Sequence, residues 1–385
     1  MSISFSSELF EEARQWRLDL HRHPEMAFQE VRTSDFVARK LTEFGYSVRR
    51  GYGRTGVVGT LARGSASRSV ALRADMDALP ITEQTGLAHA STNPGVMHAC
   101  GHDGHVSMLL AAAKLAALRD DLNGVLHLIF QPAEEVEGGA QFMINDGLFR
   151  DMDINAVYGL HNWPALALGH AVALDGPMMA AFATFEIEIV GRGAHGAMPH
   201  EGADAILAAG QIVSALQAIC ARNVSPLQAA VVSVTRIHGG DAFNVLPEKV
   251  LLGGTTRWFL PEVGDIIEKR INDIASSVAQ AFACRSILRY ERRYPATINN
   301  SEHATRLRRA AKASGLQVTD AEPSMASEDF AFMLQERPGA YIWLGARREG
   351  ANPVLHSPLF DFNDGSLPHG IGLWDALVGQ TIGSN

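Results

Sequence analysis

Cysteine is scarce in this chain: three thiols, Cys100, Cys220 and Cys284, lie scattered through 385 residues. So few, so widely spaced, cannot frame a disulfide-stapled fold, and they suit a reducing compartment where thiols serve as ligands or core filler. Basic tracts are missing as well. With a net charge of −9 and an isoelectric point of about 5.9, no cationic stripe is present to track phosphates, which argues against nucleic acid as a partner. No apolar run reads as long and clean enough to cross a bilayer. The opening MSISFSSELFEEARQW lacks the basic start and apolar core of a secretory signal. The expected setting is therefore cytoplasmic, with no membrane partner. The Gly-x-Ser-x-Gly elbow of serine hydrolases is absent, and no His-x-Glu is paired with Pro-Cys-x-x-Cys, which excludes a zinc nucleobase deaminase.

What is present is ample core material, 46% hydrophobic residues, and length enough for more than one domain. Residues 7–44 read as helical, interrupted at His23-Pro24 because proline disfavours helical geometry in the residue before it. Strand-like segments at 70–73, 124–130 and 156–160 then alternate with helical ones at 106–118 and from 141. That order implies an α/β domain around a mostly parallel sheet. Near Pro177 the texture changes. Phe182–Val190 alternates apolar with polar residues, the pattern of a strand exposed on one face. A helix at 203–221, strands at 229–237 and 250–259, a helix at 263–282 and a strand at 286–292 complete a β-α-β-β-α-β order, a ferredoxin-like layout. Beyond Pro295 the α/β texture returns, with a helix at 302–314 and a strand at 341–344. The expected organisation is a catalytic domain in two parts, 1–177 and 295–385, interrupted by an inserted α+β module at 178–294.

Four chemically loaded segments fall at expected strand ends, where open α/β sheets bind their ligands. His98-Ala-Cys100-Gly-His102-Asp103-Gly-His105 gathers a thiol, an acid and three imidazoles, with Gly101 and Gly104 allowing a sharp turn. Arg73-Ala-Asp75-Met-Asp77, Glu134-Glu135 and His161 are the other three. Adjacent carboxylates repel in a dry site unless a cation or a shared proton compensates. One acid on a metal, its neighbour free to take a proton from a water the metal acidifies, would resolve that conflict. The alternative is two acids opening a solvated helix. His161 and His356 are uninformative singly, and His127 is assigned to packing, as are Cys220 and Cys284.

The segments LHRHPEMAFQE, RADMDALP, MHACGHDGH, FQPAEEVEGGA, GLHNWP, GRGAHGAMPH, NVLPEK, SEDFA and LHSPLFDFND, in that order, resemble the dinuclear-metal family of aminoacylases and carboxypeptidases. More narrowly they are similar to its amidohydrolase branch of hippurate hydrolases, N-acyl-amino-acid amidohydrolases and auxin-conjugate hydrolases. The resemblance spans about residues 18–375. It implies two divalent ions, manganese or zinc first, with cobalt or nickel as options. It also implies a metallopeptidase-type catalytic domain carrying a lid, or dimerisation, domain, and hence a homodimer. By matched motifs Cys100 would bridge the ions, His102 and His161 would hold one, and Glu135 and His356 the other. Glu134 would be the general base.

Other branches place an aspartate at the bridge and a histidine two positions before an aspartate. Here those places hold Cys100 and Arg73, and a guanidinium cannot bind a metal. Asp75, Asp77 and Asp103 would then orient ligands or brace the loop. His195 resembles the lid histidine that faces the oxyanion in related dimers, although a turn histidine between glycines needs no such role. Asn244 resembles a companion substrate-binding residue. Arg257 suits a substrate α-carboxylate through two hydrogen bonds, or equally a solvated strand position or an interdomain ion pair. The expected activity is hydrolysis of N-acyl amino acids to a carboxylic acid and an amino acid. A dipeptidase or carboxypeptidase acting on short peptides is the alternative, and a non-catalytic metal-binding homologue the more distant one. The motifs leave the acyl group open: aromatic, short aliphatic or an indole acid.

Overall fold

The computed structural model describes residues 7–135 and 137–384. The chain divides into two compact units. The first runs to Met178 and resumes over Thr297–Pro323 and from Glu328; the second comprises Met179–Ala296 and Ser324–Ser327.

An eight-stranded sheet organises the first unit. Its order is Ser47–Tyr52, Gly56–Arg63, Gly124–Gln131, Ser69–Asp75, Ala156–Trp163, Gly339–Gly345, His170–Val172 and Gln317–Val318. The four strands from Gly124–Gln131 to Gly339–Gly345 run parallel, in keeping with the alternating texture of the sequence. Helices cover such strands on both faces, so Ser69–Asp75 is buried at every position and reads as an almost unbroken apolar run. Parallel neighbours also deliver their carboxyl ends to one edge, where Asp75 lies in register with Gln131 and His161 with Trp343.

The helices Ser7–Arg22 and Val31–Glu43 flank the expected break at His23-Pro24. The helix His102–Ala117, rich in alanine and leucine, is buried on nearly all sides. It begins four residues before the expected 106, which places His102 and His105 on its first turns and not in the preceding loop. The turn is made at Gly101, whose φ of 98° is left-handed and whose absent Cβ would otherwise meet the Asn162 side chain at 2.3 Å. Gly104 has a different use from the one expected. It is helical, and a Cβ there would stand 2.3 Å from the Phe362 ring.

In the second unit a four-stranded antiparallel sheet has the order Ala230–His238, Lys249–Trp258, Ala181–Val190, Arg285–Tyr294. Read by chain position this is the 2-3-1-4 arrangement of a ferredoxin-like module. Ala181–Val190 alternates buried and half-buried residues along its length. The helices Ala205–Leu216 and Pro261–Ala281 pack on each other and on the Lys249–Trp258 strand. Ala205–Asn223 is long and apolar enough to cross a membrane by length and composition alone. Core helices meet the same test, and Ala208, Ile212, Leu216 and Ile219 of this segment belong to the unit's hydrophobic core.

Candidate metal centre

At the carboxyl edge of the parallel strands, residues from four separate segments converge. Cys100, just before the Gly101 turn, lies with its Sγ 3.4 Å from His161 Nε2. The ligand-type atoms of Cys100, His102 and His161 all lie within 4.8 Å of one another, and so do those of Cys100, Glu135 and His356. Cys100 thus belongs to both groups. His356 Nε2 stands 3.3 Å from Glu135 Oε2, and His102 Nε2 3.8 Å from Glu135 Oε1.

Each imidazole is aimed by its other nitrogen. His161 Nδ1 is 2.7 Å from the Asn162 carbonyl and His102 Nδ1 2.9 Å from the Asp77 carbonyl. A carbonyl only accepts, so both Nδ1 atoms donate and both Nε2 lone pairs face inward, the arrangement seen around ligating histidines. His356 is presented by backbone geometry instead. It adopts a left-handed φ of 65°, its N–H donates to the Ala99 carbonyl at 2.8 Å, and its side chain is about half exposed.

The electrostatics of the centre call for positive charge. Burial, then Glu135, Glu134 and Asp75, push the Cys100 thiol well above its ordinary range. Burial, then Glu328, Glu135, Asp329 and Asp77, do the same to the Glu134 carboxyl. Burial and the neighbouring His105 hold His161 neutral, well below the usual imidazole range. At His102 burial opposes charge, yet Asp75, Asp77 and Glu135 outweigh it and raise the group to about 10. His102 Nε2 and Glu135 Oε1 are moreover buried without a hydrogen-bond partner among the described residues. Buried polar atoms are rarely left so. Divalent cations bound by these atoms would satisfy both and let the thiol ionise, and thiolate, imidazole and carboxylate form a donor set that first-row metals accept.

A braced shell surrounds these residues. Asp75 receives His105 Nδ1 at 2.6 Å and Arg73 Nη1 at 2.6 Å. Arg73 is fully buried and is no ligand. It also reaches Gln131 Oε1, Glu328 Oε1 and Asp329 Oδ1 at 2.8, 2.9 and 3.0 Å. Glu328 and Asp329, whose contacts the sequence left open, lie within the same 4.8 Å neighbourhood as Glu134. Asp77 accepts the Glu135 N–H at 3.0 Å. Asp103 pairs with His21 Nδ1 at 2.8 Å and stands 3.8 Å from Arg17, which also binds Asp361 and Asp364.

Glu30, to which the sequence reading gave no role, accepts the Ala133 N–H at 2.9 Å and the Thr55 hydroxyl at 2.6 Å. It thereby holds the left-handed residue, φ 56°, that precedes Glu134. Burial and Asp77 raise Glu30 to about 7. Its only signal in the sequence was an acid at the close of LHRHPEMAFQE.

The remaining candidates belong to the second unit. His195 and Asn244 are both exposed. They lie side by side on a small ribbon in which His195 pairs with Val245 and the Gly196 N–H donates to the Asn244 carbonyl at 2.7 Å. His195 Nδ1 accepts the Ala197 N–H at 3.1 Å, so Nε2 carries the proton. Arg257 is half-buried, its guanidinium 4.1 Å above the Phe182 ring and its Nη1 bonded to Thr255 and Thr256 of its own strand. Cys220 and Cys284 contribute to the second unit's core, and His127, held at about 4 by burial, bonds Thr60 Oγ1 at 2.9 Å.

A mostly parallel α/β sheet with a thiol-imidazole-carboxylate cluster at its carboxyl edge defines a metallohydrolase type of centre. The chain belongs to peptidase family M20/M25/M40, whose sequence model matches residues 71–380. It is similar to N-acetyl-L-cysteine deacetylase of Bacillus subtilis (strain 168), at 41% identity over 91% of this chain and 83% of the relative. It is likewise similar to hippurate hydrolase of Campylobacter jejuni, at 40% identity over 94% of each chain. Among solved structures it resembles a dinuclear metal-binding peptidase of the M20 family from Bacillus subtilis, with a TM-score of 0.85, 33% identity and coverage of 97% of this chain and 98% of that one.

Proposed function

We propose that this protein is a dinuclear-metal amidohydrolase that cleaves N-acyl amino acids to a carboxylic acid and a free amino acid. The observation that carries the reading is Cys100 shared between two ligand-type groups, with the second acid of the Glu134-Glu135 pair in one of them. In this reading Cys100 would be shared by two ions, His102 and His161 would hold one, and Glu135 and His356 the other. The two ions, manganese or zinc by preference over cobalt or nickel, polarise the scissile carbonyl and acidify the attacking water when bound.

Glu134 takes the proton released on attack and returns it to the departing amine, with no covalent acyl-enzyme. Burial among acids raises its affinity for that proton, and bound cations would keep the carboxylate ionised until the proton is released. His195, with its Nε2–H free to donate, serves the tetrahedral oxyanion, while Asn244 and Arg257 bind substrate. We assign the catalytic domain to 1–177 and 295–385 and the lid or dimerisation domain to 178–294. A cytoplasmic homodimer through that domain fits the apolar residues Ile206, Leu207 and Ile237 exposed on its Ala205–Leu216 helix and Ala230–His238 edge strand.

The test is amine release from a panel of N-acyl amino acids and dipeptides. Chelator-stripped protein is compared with the same protein after manganese or zinc is restored. Metal-dependent cleavage of the acyl amino acids is expected, and cleavage of dipeptides alone would replace this reading with a peptidase.

A further inference from the structure

Beside Glu135 the first unit contains a cavity of about 470 Å³, within the size range of small-molecule sites. Its floor is apolar, formed in part by Met26, Leu79 and Pro80. Its wall is aromatic. Phe28 and Phe142 meet edge to face with ring centroids 4.9 Å apart, and the Arg54 guanidinium stacks 4.5 Å above Phe28 and 6.0 Å from Phe142. Phe28 and Arg54 both hold left-handed backbone, with φ of 61° and 72°. Non-glycine residues seldom adopt that conformation, and it gathers at functional sites where the surrounding structure enforces it. The wall is thus set by the chain before any ligand arrives.

We propose that this cavity receives the acyl arm of the substrate and selects aryl-sized acyl groups over acetyl; the inference rests on the amidohydrolase reading above. Two arms leave a scissile amide. The amine arm of every N-acyl amino acid carries a carboxylate, whereas in this cavity's lining two acids, Glu135 and Glu137, outnumber the one cation, Arg54, whose guanidinium is laid against the Phe28 ring. The acyl arm of an aryl conjugate is neutral, flat and apolar. An arene entering between the floor and the Phe28–Phe142 pair gains ring-edge contacts and leaves the water it displaces to bulk. An acetyl group leaves most of the volume unfilled.

The experiment compares kcat/KM for acetyl, butyryl, benzoyl and phenylacetyl derivatives of one amino acid, using metal-loaded wild type, Phe142→Ala and Ala27→Leu. Phe142 is 39% exposed, so its removal is compatible with folding, and a ratio between two substrates does not depend on the folded fraction. We expect the benzoyl-to-acetyl ratio to fall roughly 10- to 100-fold in Phe142→Ala, the range that pocket contacts of this size command. Ala27→Leu, which narrows the cavity, should lower the same ratio. A ratio unchanged in both variants overturns the proposal. So does a shift in preference that follows the amino-acid side chain instead of the acyl group. If wild type cleaves no acyl amino acid, the amidohydrolase reading has failed, and equilibrium binding of the neutral phenylacetamide and acetamide tests the cavity alone. Phenylacetamide is then expected to bind at least about tenfold more tightly, with the contrast lost in Phe142→Ala; equal affinities for wild type overturn the assignment.

Discussion

The two units treat chemically active side chains in opposite ways. In the first, Cys100, His102, Glu134 and His161 are buried, and Arg73, Asp75, Asp77 and Asn162 fix their surroundings through named hydrogen bonds. In the second, His195 and Asn244 stand exposed on a two-stranded ribbon. A buried charge must be paired, so each active group there brings a retinue of partners whose loss is felt in stability. An exposed donor has water as its alternative partner and can be removed at little structural cost. The contrast predicts that substitutions in the first unit disturb both folding and function, and those on the ribbon function alone.

Glu134→Gln should produce the largest loss of turnover, about 10²- to 10⁴-fold, the usual contribution of a general acid–base group. Both metals should stay bound, as read by elemental analysis of the purified variant. A variant retaining most of its activity would remove Glu134 from the base role. Arg73→Met should leave kinetics secondary to folding. Asp75, Glu328 and Asp329 lose their shared cation, and breaking a buried pair costs about 3–5 kcal/mol. Urea unfolding of the metal-loaded protein measures it, and a loss below about 1 kcal/mol would mean that the acids compensate by holding protons. His195→Ala sharpens the contrast from the other side. Turnover should fall by about 10²-fold or more, as for other oxyanion donors. Stability should stay within roughly 0.5 kcal/mol, the usual range for a surface change. Full activity would strip His195 of its proposed role.

The same contrast explains what could be read from the sequence. The parallel sheet was legible because strands buried on both faces, such as Ser69–Asp75, must be apolar at nearly every position. The clustering of Cys100, His102 and His161 was legible because a loop at a strand end and a residue at the next strand end share one edge. The start of the His102–Ala117 helix was misplaced because glycine was taken as a turn residue throughout. Gly104 is needed for Phe362, a contact that no local window contains. Glu328, Asp329 and Tyr341 meet Arg73 or one another only through the fold. On the ribbon, by contrast, nothing local distinguishes His195 from any turn histidine, and the resemblance alone singled it out. The helix at 203–221 was legible, but the apolarity of both its faces was not. Its apolar residues serve a core face and an exposed face together, with Ile206 and Leu207 on the latter, so no polar stripe marks its sides.

The smallest effect expected is a pH dependence of stability from His21, which sits beneath the centre and apart from its ligand-type atoms. Burial disfavours its charge, but the hydrogen bond it donates to Asp103, with help from Glu83, outweighs both burial and Arg17 and raises it to about 9. An unfolded histidine titrates near 6.5, so between these values the folded protein holds a proton that the unfolded chain has released. Stability from this group is therefore complete below about pH 6.5 and is lost as pH rises through 9. Its upper bound is on the order of 3 kcal/mol. Glu30, raised to about 7, and His102, raised to about 10, act with the same sign, so the part due to His21 is read as the difference between a variant and wild type. In His21→Asn the urea midpoint should be lower at pH 7 than in wild type and flatter from there to pH 9, with metal supplied equally throughout. Parallel slopes for the two proteins would show that His21 is neutral in the fold and that Asp103 draws its positive partner from Arg17 alone.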